Sequence, residues 1–227
     1  MNLSTAMIEA VGIGKSVDNG GTPLVILHEN SFVVPEGESV AIVGISGSGK
    51  STLLGLLAGL DTPSEGRVLI DGNDIGAMDE DARAVLRGRL IGFVFQSFQL
   101  LPSLNALENV MLPLELSGAP DAEKEASLWL DRVGLSHRLK HYPRHLSGGE
   151  QQRVALARAF APKPKIVFGD EPTGNLDEAT GRQIIDLMFA INAESRTTLV
   201  LATHDDKIAA RCRRRLKMHA GRIEEAA

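Results

Sequence analysis

A single cysteine in 227 residues, Cys212, excludes an internal disulfide and fits a reducing compartment. Aromatic residues are scarce at 4%, with one tryptophan and one tyrosine, against 43% hydrophobic residues overall, so the core must be built mainly from aliphatic side chains. No apolar run approaches the roughly 18–20 residues that a membrane span needs. Excess positive charge is lacking too: the net charge of −5 leaves no electrostatic footprint for nucleic acid. The start of the chain, MNLSTAMIEAVGIGK, has neither the basic opening nor the apolar centre of an export signal. These absences predict a cytosolic protein whose membrane contact, if it has one, comes through a partner. The length fits one domain with a lobe inserted.

The apolar pattern then divides the chain. Ser39–Val43 is a short apolar run ending at Gly44 and reads as a buried strand feeding a Gly-rich loop. Thr52–Leu60 is apolar on almost every side, as a fully buried helix would be. Arg67–Asp71, Ile91–Phe95, Ile166–Phe168 and Thr198–Ala202 read as further strands. Between Leu104 and about Leu139 the periodicity becomes helical, with breaks expected at Pro113 and at Gly118-Ala119-Pro120. Thr180–Asn192 carries a helix face of Ile184, Ile185, Leu187, Met188 and Ile191. Strands alternating with helices imply an α/β core with a mostly parallel sheet, and the middle stretch reads as a helical insertion.

Gly44–Thr52, GISGSGKST, has the spacing of a phosphate-binding loop, with Gly44, Gly49, Lys50 and Ser51 at the defining positions. Its glycines let the backbone N–H groups from about Gly47 to Thr52 turn inward around phosphate oxygens, and the following helix adds its positive end. Ile45, Ser46 and Ser48 complete the loop. Lys50 is placed to reach the β- and γ-phosphates of a nucleotide, and the Ser51 hydroxyl to bind Mg²⁺. With glycine near ~7% of residues, a chance match in a chain of this size is on the order of one percent. The strand before it and the helix after it are the context the loop requires.

Ile166–Glu171 is an apolar strand ending in two acids. Asp170 is placed to hold Mg²⁺ and Glu171 to polarise an attacking water as general base. Alone, the two acids would read equally well as a solvated turn; the phosphate loop upstream decides against that. His204, after TLVLAT, is placed to contact the γ-phosphate, and Gln96, after IGFVF, to sense Mg²⁺ and the water. Both draw their weight from the company they keep. Leu146–Arg153, LSGGEQQR, offers Ser147, Gly148 and Gly149 as donors at the start of a helix running from Glu150 to about Ala161. Ser147 and Glu150 also fit a capping box, and the two readings are compatible. Two loops about 100 residues apart grip one γ-phosphate only if they face it from opposite sides, which suggests a site shared between two molecules.

With these segments in this order, the chain resembles the ATP-binding-cassette ATPases over nearly its full length. The Walker A motif is Gly44–Ser51, the Q-loop glutamine Gln96, the signature Leu146–Glu150, the Walker B acids Asp170 and Glu171, the D-loop Asn175-Leu176-Asp177 and the switch histidine His204. The resemblance implies a RecA-like parallel-sheet core with an antiparallel β subdomain, together formed by residues 1–96 and 163–227, and a helical subdomain at about 97–162. It implies ATP and Mg²⁺ as cofactors and an ATP-dependent homodimer in which each signature faces the other copy's ATP. FVFQSFQLLPSLNALENVMLPL and DEPTGNLD look like the subgroup that serves lipoprotein release and macrolide export, which works with a separate integral-membrane permease. The location implied is the cytoplasmic face of the inner membrane, held there by the permease alone and without nucleic acid as a partner.

One departure stands out. The family usually carries an aromatic upstream of Walker A to stack on adenine, and here Ser16-Val17 follows Lys15, so Val17 is left as an aliphatic contact to the base. Phe98, Leu100, Leu101 and Pro102 are expected to line an exposed docking groove beside the Q-loop. Trp129 reads as lobe core, Arg211–Arg215 as a solvated helix face, and Cys212 lacks the neighbours of a metal site. Cassette ATPases of DNA repair carry coiled-coil or zinc insertions and those of translation fuse two cassettes, neither of which is present. A switch that hardly hydrolyses is disfavoured by Glu171 and His204.

Overall fold

The computed structural model describes residues 6–225. In chain order the elements are β1 (Ala6–Asp18), β2 (Pro23–Pro35), β3 (Ser39–Val43), α1 (Lys50–Leu57), β4 (Glu65–Ile70), β5 (Asn73–Asp74), α2 (Glu80–Leu90), β6 (Ile91–Phe95), α3 (Ala106–Leu116), α4 (Ala122–Arg132), α5 (Gly148–Phe160), β7 (Ile166–Asp170), α6 (Glu178–Ser195), β8 (Thr198–Thr203), α7 (Asp206–Ala209), β9 (Arg214–His219) and β10 (Arg222–Glu225). The described residues form two compact units, one from 6–87 together with 198–225, the other from 88–197.

In the first unit, β1, β2, β4 and β5 make an antiparallel sheet in the order β2-β1-β4-β5. β3 lies between β8 and β9 and runs parallel to both, and β10 closes this edge antiparallel to β9. Val40, Ala41 and Ile42 are fully buried, as are Leu199–Ala202, because a parallel strand with neighbours on both sides is covered on both faces. α1 adds Leu53, Leu56 and Leu57 to that core. Asn30 pins β2 to the β9–β10 turn: its Nδ2 donates to the Gly221 carbonyl at 3.0 Å and its Oδ1 accepts from Ile223 N–H at 2.6 Å. Such a buried amide is tolerable because its polar atoms are matched.

The second unit sets β6 parallel to β7 and packs α3, α4, α5 and α6 around an apolar centre that includes Val110, Leu130, Phe160 and Ile185. Trp129 is buried on α4 and its ring lies 6.4 Å from that of Phe160, so the expectation of lobe core holds. α5 comes so close to β6 that a Cβ on Gly92 would strike the Ala159 carbonyl.

Two expectations fail here. Pro113 does not break the helical stretch but sits inside α3. A proline in the last turns forfeits one backbone hydrogen bond, and the Asn105–Glu108 capping box with buried Val110 and Leu114 holds the helix against that loss. Arg211–Arg215 is not a helix face either. α7 ends at Ala209, and Arg214 and Arg215 open β9, whose alternating Leu216 and Met218 turn inward. The run of arginines concealed a strand with period two.

Candidate nucleotide site

The first unit presents a loop and a histidine from paired strands. β3 and β8 are in register at Val43 and Thr203, so Gly44 and His204 follow directly from the same carboxyl edge of the sheet. Open α/β sheets bind their ligands at that edge. The Gly44–Gly49 loop folds over its own lysine: Lys50 is 6% exposed, and its Nζ donates to the carbonyls of Gly44 at 2.8 Å and Ile45 at 3.2 Å. Glycine is required at both ends of the loop. A Cβ on Gly44 would strike the Met218 carbonyl, and Gly49 holds φ +104° with Leu27 Cδ2 only 2.8 Å from where a Cβ would stand. Gly49 caps α1 without any side-chain hydrogen bond. The Ser48 hydroxyl is buried with no protein partner among the described residues. A glycine-shaped loop that opens directly into a helix N-terminus suits the phosphates of a nucleotide. Ser46, Gly47 and Ser51 are exposed and Thr52 is half-buried. Val17 lies near the tip of the β1–β2 hairpin, opposite Leu24, and both are exposed. His204 is exposed, next to Asp205, which caps α7 through Lys207 N–H at 2.7 Å.

The second unit repeats the arrangement with acids. Phe95 and Asp170 are partners across β6 and β7, so Gln96 and Glu171 leave adjacent strand ends. Glu171 holds φ +46°, a left-handed backbone that turns the chain sharply at the second acid. Gln96 is tied to the D-loop: its Nε2 donates to Asn175 Oδ1 at 3.2 Å, and Asn175 Nδ2 donates to the Gln96 carbonyl at 3.0 Å. Asp177 caps α6 through Thr180 N–H at 3.0 Å, and the Thr180 hydroxyl above all, with that N–H beside it, holds its carboxyl below the usual range.

Ser147 caps α5, its hydroxyl accepting from Glu150 N–H, while Glu150 returns a carboxylate oxygen to Ser147 N–H. Gly149 is buried, and a Cβ there would meet Thr180 Cγ2 at 2.6 Å; Gly148 faces Leu176 and the ring tip of Phe98. Phe98 is half-buried beside the signature segment and Leu100 is half-buried too, whereas Leu101 is 42% exposed and Pro102 is exposed.

Several residues at this site escaped the sequence reading. Gln152 on α5 is fully buried, and its Nε2 donates to the Pro172 carbonyl at 2.5 Å and towards the Phe95 carbonyl at 3.4 Å, clamping the ends of both strands that carry Gln96 and Glu171. Arg158, also on α5, donates to the carbonyls of Phe98 (2.9 Å) and Gln99 (2.6 Å), two consecutive residues with positive φ. Burial lowers the Arg158 pKa. Arg138 reaches Glu150. A polar residue on a helix that otherwise packs inward was the available signal for Gln152. Cys212 is buried and its thiol is pushed up to about 12, and no cluster able to hold a metal occurs among the described residues.

Comparison with known proteins agrees with this chemistry. Residues 27–174 match the ABC transporter family. The chain is 53% identical over 223 residues to the ABC transporter ATP-binding protein YbbA of Escherichia coli (strain K12), covering 97% of this chain and 98% of YbbA. It is 49% identical over 223 residues to the lipoprotein-releasing system ATP-binding protein LolD of Pseudomonas syringae pv. tomato, with 97% and 98% covered. Among solved structures, the ATP-binding cassette MJ0796, in a dimeric post-hydrolysis state bound to ADP and Pi, superposes with a TM-score of 0.90 at 39% identity, covering 96% of this chain and 97% of that one. With family match, full-length relatives and phosphate cradle in agreement, the chain belongs to the ABC transporter family as an ATP-binding, ATP-hydrolysing subunit.

Proposed function

We propose that this subunit works as an ATP-dependent homodimer that drives a separate integral-membrane permease of the lipoprotein-release or macrolide-export type. It would act at the cytoplasmic face of the inner membrane, touching the membrane only through the permease. The observation that carries this reading is the pair of in-register strand ends, which aim Gly44 with His204, and Gln96 with Glu171, out of carboxyl edges. In this reading Lys50 and the N–H groups of Gly47–Thr52 grip the β- and γ-phosphates, and Val17 faces the base. Ser51, Asp170 and Gln96 hold Mg²⁺, which supplies charge neutralisation on the phosphate oxygens. Glu171 accepts the proton of the attacking water, and His204 contacts the γ-phosphate.

Ser147, Gly148 and Gly149 then serve the nucleotide of the other copy. The helical part, at about 97–162, carries this signature and the exposed Leu101 and Pro102 that a permease helix would cover. Dimers of the similar cassette MJ0796 and the lipoprotein-releasing role in the name of LolD support the partners chosen. Glu171→Gln tests the reading: ATP binding should persist, hydrolysis should fall by about 10²–10⁴-fold, and a closed dimer should accumulate on size exclusion with ATP and Mg²⁺. A chain that stays monomeric and hydrolyses within a few-fold of wild type would refute both the base and the shared site.

A further inference from the structure

The capping box of α5 places a full negative charge at the mouth of the helix. Glu150 Oε2 accepts from Ser147 N–H at 2.8 Å, and Ser147 Oγ accepts from Glu150 N–H at 3.2 Å. That charge suits the helix itself, whose N-terminal end is positive. It does not suit a phosphate. An anion approaching the N–H groups of Gly148 and Gly149 meets a carboxylate that already draws on the same positive end. The Ser147 hydrogen bond above all, with Arg138 adding to it, holds the Glu150 carboxyl below its usual range, so the carboxylate remains charged near neutral pH.

Arg138 offsets that charge. It ends a short helical turn, Ser136–Arg138, and its Nε donates to Glu150 Oε1 at 2.9 Å while Ser147 occupies the other oxygen. The Glu150 side chain is 14% exposed, so the pair is partly shielded from water and from salt. Arg138 Nη1 also lies 3.0 Å from His141 Nε2, which fixes the direction of the guanidinium.

We propose that Arg138 is a positioning residue of the shared nucleotide site: by pairing with Glu150 it cancels the carboxylate charge at the mouth of α5, so that the signature N–H groups can receive the γ-phosphate of a nucleotide held by a second copy of the chain. The assignment rests on the shared-site reading above. Arg138 touches no nucleotide in it and acts only through Glu150.

The test reads the ATP concentration for half-maximal dimer formation in full-length Glu171→Gln chains, where hydrolysis does not interfere. R138Q should raise that concentration roughly fivefold or more when Glu150 is present, and less than about twofold in the E150Q background, where the cap persists without its charge. R138K, which keeps the charge, should stay within about twofold of the Arg138 chain. R138M should behave as R138Q does, and added salt should narrow the difference that either makes. A merely structural Arg138 would make R138Q equally harmful in both backgrounds, or R138K as harmful as R138Q, and either result overturns the proposal. R138M and R138Q that diverge would make packing the cause and overturn it as well. A dimer indifferent to R138Q overturns this inference alone. Absence of any ATP-dependent dimer with Arg138 intact overturns the shared site, and this inference with it.

Discussion

Gln96 and Asn175 hold each other by two hydrogen bonds, the Gln96 amide donating to the Asn175 side chain at 3.2 Å and the Asn175 amide donating to the Gln96 carbonyl at 3.0 Å. The residues stand 79 positions apart in sequence. A Cβ on the neighbouring Gly174 would lie 2.6 Å from Gln96 Nε2, so the D-loop backbone and side chain together define where that glutamine can be. Side chains that meet a metal and a water in a reaction gain from such outer support, because geometry looser by an ångström costs rate.

Asn175→Ala should therefore lower kcat several-fold and leave the KM for ATP within about twofold. The lost hydrogen bonds are exposed and worth roughly 0.5–1.5 kcal/mol each at most, so thermal melting should move by only a few degrees. Steady-state kinetics beside a melting curve checks this. Unchanged kcat would show that Gln96 needs no orientation from the D-loop.

The shared site makes a prediction by mixing. A Ser147→Arg chain and a Lys50→Ala chain are each without a complete composite site, yet a heterodimer of the two regains one, from an intact phosphate loop and an intact signature. Mixing should restore ATPase activity above either chain alone. ATP binding to the mixture is measured alongside, which separates failed assembly from strict coupling of the two sites. Binding without any restored turnover would count against a signature that acts across the dimer.

Val17, proposed above to face the base, and its cross-strand partner Leu24 are exposed aliphatic side chains with no ring to stack on a purine. ATP and GTP should bind with affinities within a few-fold of one another. Val17→Tyr should tighten adenine nucleotides by several-fold or more, since stacking contributes about 1–3 kcal/mol per base. Nucleotide titration by fluorescence reads both. A strong wild-type preference for ATP, with no gain from tyrosine, would mean that another residue holds the base.

Cys212 carries a pH prediction. Burial pushes its thiol up to about 12, so the folded state favours the neutral form and the stability this confers is fully present below the unfolded pKa near 9. It is lost as pH rises towards 12. At pH 8 native Cys212 should hold on the order of a thousandfold less thiolate than the denatured chain, and alkylation should be slower in proportion. Rapid labelling of the folded protein would contradict the burial.

The phosphate loop, the acidic pair and the signature were legible in the sequence because their chemistry is local. A glycine-rich turn needs its glycines within a few residues, a strand that delivers two acids must end in them, and the Ser147–Glu150 cap spans a single helical turn. The buried strands Ser39–Val43 and Thr198–Ala202 announced themselves because a doubly covered strand is apolar at every position. β9 did not, since Arg214 stands on the same face as buried Leu216 and Met218 and breaks the apolar alternation that would have marked a strand, and Pro113 misled because a local rule was outweighed by packing on α3. What tertiary structure alone decided is pairing over distance. The register of Val43 with Thr203 and of Phe95 with Asp170, the Gln152 clamp across 20 residues to the Pro172 carbonyl, the Gln96–Asn175 tie and the burial of the Phe98 ring against Gly148 each depend on which surfaces meet. A hydrogen bond or a contact between distant segments leaves no periodicity in the chain; it exists only once the apolar faces within each unit have been buried and have brought its paired strand ends side by side.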